Sequence, residues 1–314
     1  MPLIRSLMLL LLLFNCTGDL CSQIPETPFK NSHFDVVDSV KLHYRIWNED
    51  LPHPKGKVIL IHGFCGSTFC WRYNIDSLTA SKYKVIAIDL PGFGYSERDA
   101  KLNQSQSNRG RLIWELLTKI DGEDTAKWNI VGHSMGGGTA EALALMNPGR
   151  TKSLTILNGM IFLKNNNVNM RIVGLANHPV YKKILISYTK NQYLSFNNFR
   201  RELKSTYGFL PDTTTTMGYY EPLQIPGTAE TIVNLLANSH EIQDLDAAGL
   251  AQLPVLVIWG KKDRTIRLRN GKKLKRAVPS IDLQVIPDAR HMPMETHPAI
   301  VNAMLIDFLN KNNP

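Results

Sequence analysis

Trp128-Asn129-Ile130-Val131-Gly132-His133-Ser134-Met135-Gly136-Gly137-Gly138 is the stretch on which the reading of this chain turns. Its first residues are the apolar run of a short buried strand. Gly132 and Gly136 flank Ser134 in the pattern G-x-S-x-G, and a helix runs from Ser134 to about Met146, where Asn147-Pro148-Gly149 stops it. A serine in this pattern sits on a strained strand-to-helix elbow, with its hydroxyl projecting from the end of the sheet. Side chains at 132 and 136 would crowd so tight a turn. The helix points its free N–H groups and its dipole at the reacting atoms, which favours negative charge there. A short pattern of this kind also arises in glycine-rich turns that do no chemistry, so the flanking chain has to carry the same reading.

Working outward, residues 57–61 and 83–88 are continuous apolar runs, as expected of strands buried on both faces of a parallel sheet. Residues 153–157, 254–260 and 283–286 read as further strands downstream. Helices are expected between them at 71–80 and 104–120, in the Lys/Arg-rich stretch ending at Arg276, and at 298–310. Strand alternating with helix calls for a parallel sheet with right-handed crossovers. Ahead of it, 33–37 and 40–47 read as a hairpin turned at Asp38-Ser39. From about Met160 to Leu250 the rhythm breaks. Helix-like segments at 168–175, 180–189, 197–207 and 228–237 replace the strands, and Thr213-Thr214-Thr215-Thr216 reads as a polar loop. The expected organisation is therefore a core of 31–159 and 251–314, interrupted by a helical cap at 160–250, with a linker at 19–30.

The 314 residues are 43% hydrophobic and 20% charged, which suits a globular protein with a sizeable core. Net charge is +9, but the basic residues carry no nucleic-acid-binding signature and read as a solvated face that could attract anionic membrane surfaces. Residues 1–18 read as a targeting segment, with Arg5 ahead of an apolar run, Leu7 to Phe14, too short to span a bilayer. Cleavage after Gly18 and lipidation at Cys16 in Leu13-Phe14-Asn15-Cys16 are both open. An exported protein, with anchorage to a membrane through its N-terminus as one option, is the expectation. Cys16, Cys21, Cys65 and Cys70 form no Cys-x-x-Cys pair, and the histidines lie far from them, so no zinc site is expected. Cys65 and Cys70 either bridge or remain two buried thiols.

Five stretches, in order, resemble the α/β-hydrolase superfamily over nearly the whole chain after its targeting segment. They are His62-Gly63-Phe64, Asp89-Leu90-Pro91-Gly92-Phe93-Gly94-Tyr95-Ser96, Gly132-His133-Ser134-Met135-Gly136, Gly260-Lys261-Lys262-Asp263 and His291-Met292-Pro293-Met294. The resemblance implies the α/β-hydrolase fold: an eight-stranded, mostly parallel sheet with a helical cap inserted after strand 6. Epoxide hydrolases and haloalkane dehalogenases of this fold carry Asp at the elbow, and Ser134 argues against both. Asp89 to Ser96 looks structural in this family. Cys65 and Arg290 depart from the Gly or Pro, and the Gly, often found at those places.

On this reading Ser134 is the nucleophile, His291 the base that takes and returns its proton, and Asp263 the group that orients His291 and stabilises its cation. The chain order Ser, Asp, His is the one this fold uses. Asp288 and Asp244 are rivals to Asp263, His297 is a rival to His291, and His133 reads as a packing residue. The backbone N–H groups of Met135 and Phe64 would form the oxyanion hole, with His62 and Gly63 shaping that loop. Phe162, Tyr181, Tyr188, Tyr193, Phe196, Phe209, Tyr219 and Tyr220 would give the cap an apolar pocket for a small-molecule ester. The same three residues would serve a C–C bond hydrolase, a cofactor-free haloperoxidase or a perhydrolase, and a receptor could keep the fold without turnover. No metal, nucleotide or flavin motif is present, so no cofactor is expected. The sequence leaves the oligomeric state open.

Overall fold

A computed structural model describes residues 25–99, 101–160, 174, 176–237 and 246–313. The targeting segment with Cys16 and Cys21, Phe162, Asp244 and most of the helix expected at 168–175 lie outside the described residues.

The chain opens with β1 (Ser32–Val37), β2 (Val40–Trp47) and β3 (Gly56–Ile61). A 3-10 turn (Thr68–Trp71) and α1 (Ile75–Ala80) lead to β4 (Tyr83–Ile88) and α2 (Gln106–Asp121). Then come β5 (Trp128–His133), α3 (Met135–Met146) and β6 (Thr151–Leu157). The described helices before the next strand are α4 (Pro179–Tyr193), α5 (Phe196–Tyr207), α6 (Thr213–Leu223), α7 (Thr228–Ala237) and α8 (Ala247–Ala251). The chain closes with β7 (Val255–Gly260), α9 (Arg269–Ala277), β8 (Asp282–Ile286), α10 (Pro293–Thr296) and α11 (Pro298–Asn312).

The eight strands form one sheet in the order β1-β2-β4-β3-β5-β6-β7-β8. β2 pairs antiparallel with β1 and β4, and every other pairing is parallel. This is the fold that the alternation of buried runs and helices implied. β3, β4 and β5 sit mid-sheet under helices on both faces. Their Val58 to Ile61, Val85 to Ile88 and Ile130 side chains are fully buried, which is why these strands read as unbroken apolar runs. The cap helices join the same core through Phe199, Leu203, Tyr207, Tyr219 and Leu223.

Two local expectations are corrected. The Thr213–Thr216 run is the first turn of α6, not a loop: Asp212 caps it, its Oδ1 accepting the Thr215 N–H at 2.6 Å, while the Thr216 hydroxyl donates to the Asp212 carbonyl. One good N-cap outweighs four β-branched residues of modest helix preference. The helix expected at 71–80 is broken into the 3-10 turn and α1. Ser67 caps the turn, the Arg72 and Asn74 N–H groups donate three residues back to Phe69 O and Trp71 O, and α1 starts afresh with the Leu78 N–H on Asn74 O, while the buried Asn74 side chain donates to Met294 O and Asn302 Oδ1.

Candidate active site

β5 delivers the chain to Ser134 at φ 52°, ψ −120°, a left-handed conformation that costs of order 1–3 kcal/mol in a residue with a side chain. The surroundings enforce it. The Ser134 N–H donates to Leu157 O at 3.0 Å, and its carbonyl accepts from Gly137 and Met160. A β-carbon at Gly132 would lie 2.2 Å from Gly136 O, and one at Gly136 would lie 2.3 Å from His62 O, so the elbow closes only with glycine at both places.

The sheet's topology brings together three side chains 28 to 157 residues apart. His291 Nε2 is 2.9 Å from Ser134 Oγ, and His291 Nδ1 is 2.8 Å from Asp263 Oδ2. A carboxylate on Nδ1 fixes that nitrogen as the protonated one, which leaves Nε2 to accept the serine proton. Asp263 follows β7. Its Oδ2 also accepts from Asn158 Nδ2 at 2.6 Å, and its Oδ1 accepts from the Thr265 and Ile266 N–H groups. Burial alone would raise this carboxyl, but the hydrogen bond and charge of His291, with those amide donors, hold it below the usual carboxylate range.

The rivals fall elsewhere. Asp288 is exposed and pairs with Lys262, and His297 Nδ1 meets its neighbour Thr296 Oγ1. His133 packs 4.9 Å from the His291 ring and donates through Nε2 to His291 O at 2.8 Å, a prop for the histidine loop and not a second base. Burial, with the nearby His291, lowers its pKa to about 3. An imidazole neutral when folded and protonated near pH 6.5 when unfolded makes the unfolded state take up the proton first as pH falls. His133 therefore costs stability between pH 6.5 and about 3, by about 1.4 kcal/mol per pH unit. His133→Asn is expected to flatten the acid limb of a urea-denaturation series; an unchanged slope would contradict a neutral buried ring.

Phe64 and Gly63 follow β3, and Met135 begins α3. The N–H groups of Phe64 and Met135 donate to no acceptor among the described residues. His62 sets the first of these loops: its Nε2 accepts the Leu90 N–H, so Nδ1 carries the proton and donates to Gly63 O at 2.7 Å. The Asp89 loop is structural, its buried carboxylate accepting from His43, Thr68 and Tyr95. Cys65 takes φ 54° without being glycine. Cys65 and Cys70 are free, buried thiols, which resolves the open alternative against a disulfide, and burial pushes both above their ordinary range.

A cavity of about 220 Å³ opens over Ser134. Its floor is Gly63 to Gly66, Ser134 and His291, and its walls include Tyr193, Phe199, Leu203 and Tyr219 of the cap. Of the aromatics expected to line it, Tyr193 and Tyr219 do. Tyr181, Tyr188 and Phe209 are exposed, and Phe196 and Tyr220 pack on each other. Glu202 is its one Asp, Glu, Lys or Arg among the described residues.

Sequence reasoning missed how the cap grips the histidine loop. Thr206 O accepts the His291 N–H at 3.1 Å, and Ser205 O accepts from Arg290 Nη1. Below them, fully buried Glu295 accepts from the hydroxyls of Tyr207 and Tyr219 and pairs with Arg72.

A family model described as "alpha/beta hydrolase fold" matches residues 57–298. The chain is 27% identical over 279 residues to the "Uncharacterized hydrolase YugF" of Bacillus subtilis (strain 168), covering 87% of this chain and 96% of that one. It is 27% identical over 284 residues to a "2-hydroxy-6-oxononadienedioate/2-hydroxy-6-oxononatrienedioate hydrolase" of Cupriavidus pinatubonensis, covering 88% and 95%. Among solved structures, a probable hydrolytic enzyme of Pseudomonas aeruginosa PAO1 superposes with a TM-score of 0.71 at 22% identity, covering 88% of this chain and 93% of that one.

Proposed function

The chain belongs to the alpha/beta hydrolase family, and from that premise we propose that it is a serine hydrolase cleaving carboxylic esters with uncharged, apolar acyl groups. The observation that carries this is the hydrogen-bonded run from Ser134 Oγ through the His291 ring to Asp263. His291 Nε2 takes the serine proton as Oγ attacks the ester carbonyl. Asp263 stabilises the imidazolium through Nδ1–H. The N–H groups of Phe64 and Met135 receive the oxyanion, each worth ~3 kcal/mol in the transition state. The imidazolium then protonates the departing alkoxide, leaving an acyl ester on Ser134. A water deprotonated by His291 hydrolyses it and restores the serine.

A second reading is C–C bond hydrolysis, favoured by the name of the Cupriavidus relative. That name specifies a dioate, a substrate with two carboxylates. The cavity here has no lysine or arginine among its described lining residues, and Glu202 would repel an anion. This supports the ester over the dioate.

A panel of p-nitrophenyl esters of increasing acyl length, run beside a dienedioate ring-fission product, tests the choice. Short and medium neutral esters are expected to turn over, and preference for the dioate would overturn the ester reading. Glu202→Gln is expected to lower KM for an ester with a carboxylate-tipped acyl chain by about fivefold, while the neutral ester of equal length changes by less than about twofold. Equal effects on both would remove Glu202 from the pocket's selectivity.

A further inference from the structure

α4 is apolar on two faces. Leu185 and Ile186 pack inward on Ala176 and Val233, Thr189 is buried, and Tyr193 reaches the catalytic cavity. The opposite face carries Val180, Ile184 and Tyr188 at successive four-residue steps, with Tyr181 beside them. They are 60%, 59%, 62% and 47% exposed. Four large apolar side chains in one row are not the scattered exposure that any surface shows. The helix cannot turn them inward, because its other face is already committed to the cap.

The charge on α4 and α5 is mostly of one sign. α4 and α5 carry six basic side chains, Lys182, Lys183, Lys190, Arg200, Arg201 and Lys204, against one acidic residue, Glu202. Lys190 faces Glu230 of α7 at 3.5 Å, an exposed pair that a stronger anionic partner would displace at little cost. A row of aliphatic and tyrosine side chains bordered by lysines matches the boundary of a bilayer. Acyl chains take the aliphatic groups, the headgroup region takes the tyrosine rings, and lipid phosphates take the ammonium groups.

We propose that the outer face of α4 docks on the surface of an anionic lipid bilayer. No described helix is long and apolar enough to cross a membrane, so this contact lies in the interface plane. Because Tyr193 on the same helix walls the cavity, docking brings the cavity's wall against a phase in which apolar esters concentrate. The contact stands apart from the serine hydrolase reading, since its readout is partition, not turnover.

The test is sedimentation of the full chain with phosphatidylcholine vesicles containing phosphatidylglycerol, beside the variant carrying Ile184→Glu and Tyr188→Glu. Both proteins keep the same N-terminus, so binding through residues 1–24 is common to the two. The wild type is expected to bind the anionic vesicles, to bind pure phosphatidylcholine less, and to be released by added salt. The variant is expected to bind at least about tenfold more weakly, with native circular dichroism and an unchanged melting temperature as proof of folding. Equal sedimentation of the two proteins would overturn the proposal and assign binding to the N-terminus. No preference for anionic vesicles would overturn it as well. So would a wild-type dimer that the variant dissolves in sedimentation velocity, since a second copy would then be the occupant.

Discussion

Ser134→Ala is expected to lower kcat/KM for a p-nitrophenyl ester by about 10⁴- to 10⁶-fold and to abolish labelling by a fluorophosphonate probe. Removing Oγ removes the hydroxyl held 2.9 Å from His291 Nε2, while the two N–H donors and the cavity remain. Weak residual catalysis from the polarised carbonyl is therefore expected, with a nearly unchanged KM. The fold should survive, because the substitution deletes one oxygen at an elbow whose constraints come from backbone bonds and flanking glycines. Activity within tenfold of wild type, in a variant with native circular dichroism, would sink the nucleophile assignment. Folded wild type that takes no label would do the same.

The second large effect is expected at Glu295. Its carboxylate lies beneath the cap, with Arg72 from the turn after the Gly63–Gly66 loop and the hydroxyls of Tyr207 and Tyr219 from α5 and α6. Burial pushes this carboxyl above its usual range, while Arg72 and the two hydroxyls pull it back. Glu295→Ala would leave a largely buried guanidinium and two hydroxyls without their acceptor. Breaking such a buried pair costs about 3–5 kcal/mol, which in a chain of this size lowers Tm by about 10 °C. Catalysis should suffer beyond stability, because Thr206 beside Tyr207 holds the His291 backbone and Tyr219 lines the cavity. Glu295→Gln keeps an acceptor of the same shape and loses the charge, so it should recover part of Tm. If Glu295 positions the histidine loop, kcat falls in both variants below their melting range. If its role is stability alone, kcat at low temperature stays at the wild-type value.

Much of this architecture was legible because local chemistry and global fold agree along the chain. The apolar runs at 57–61 and 83–88 mark strands buried on two faces, and the described sheet contains each of them, while the half-buried 283–286 forms its edge. The expected cap helices at 180–189, 197–207 and 228–237 fall within α4, α5 and α7. Failures came where a distant or single contact outvoted local preference. Asp212 turned a threonine run into a helix start, and the buried Asn74 side chain, bonded to Asn302 across the core, sits where α1 starts after the 3-10 turn. The cap's aromatics misled because composition cannot tell an inward ring from an outward one. Tyr193 and Tyr188 sit on the same helix, five residues apart, yet one walls the cavity and the other meets solvent.

By itself the sequence determined the order of strands and helices, the elbow that exposes Ser134, and the candidates Asp263 and His291. The element order follows from periodicity and the elbow from glycines whose absent side chains a tight turn requires, while the two candidates follow from the resemblance of their stretches to the α/β-hydrolase superfamily. Only the tertiary structure decided which carboxylate meets the imidazole, that Asn158 steadies it, that Glu295 ties cap to core, and that Val180, Ile184 and Tyr188 share an exposed face of α4 among the described residues. Each of those depends on groups far apart in the chain arriving within a few ångströms, and such distances are set by packing, not by spacing along the chain.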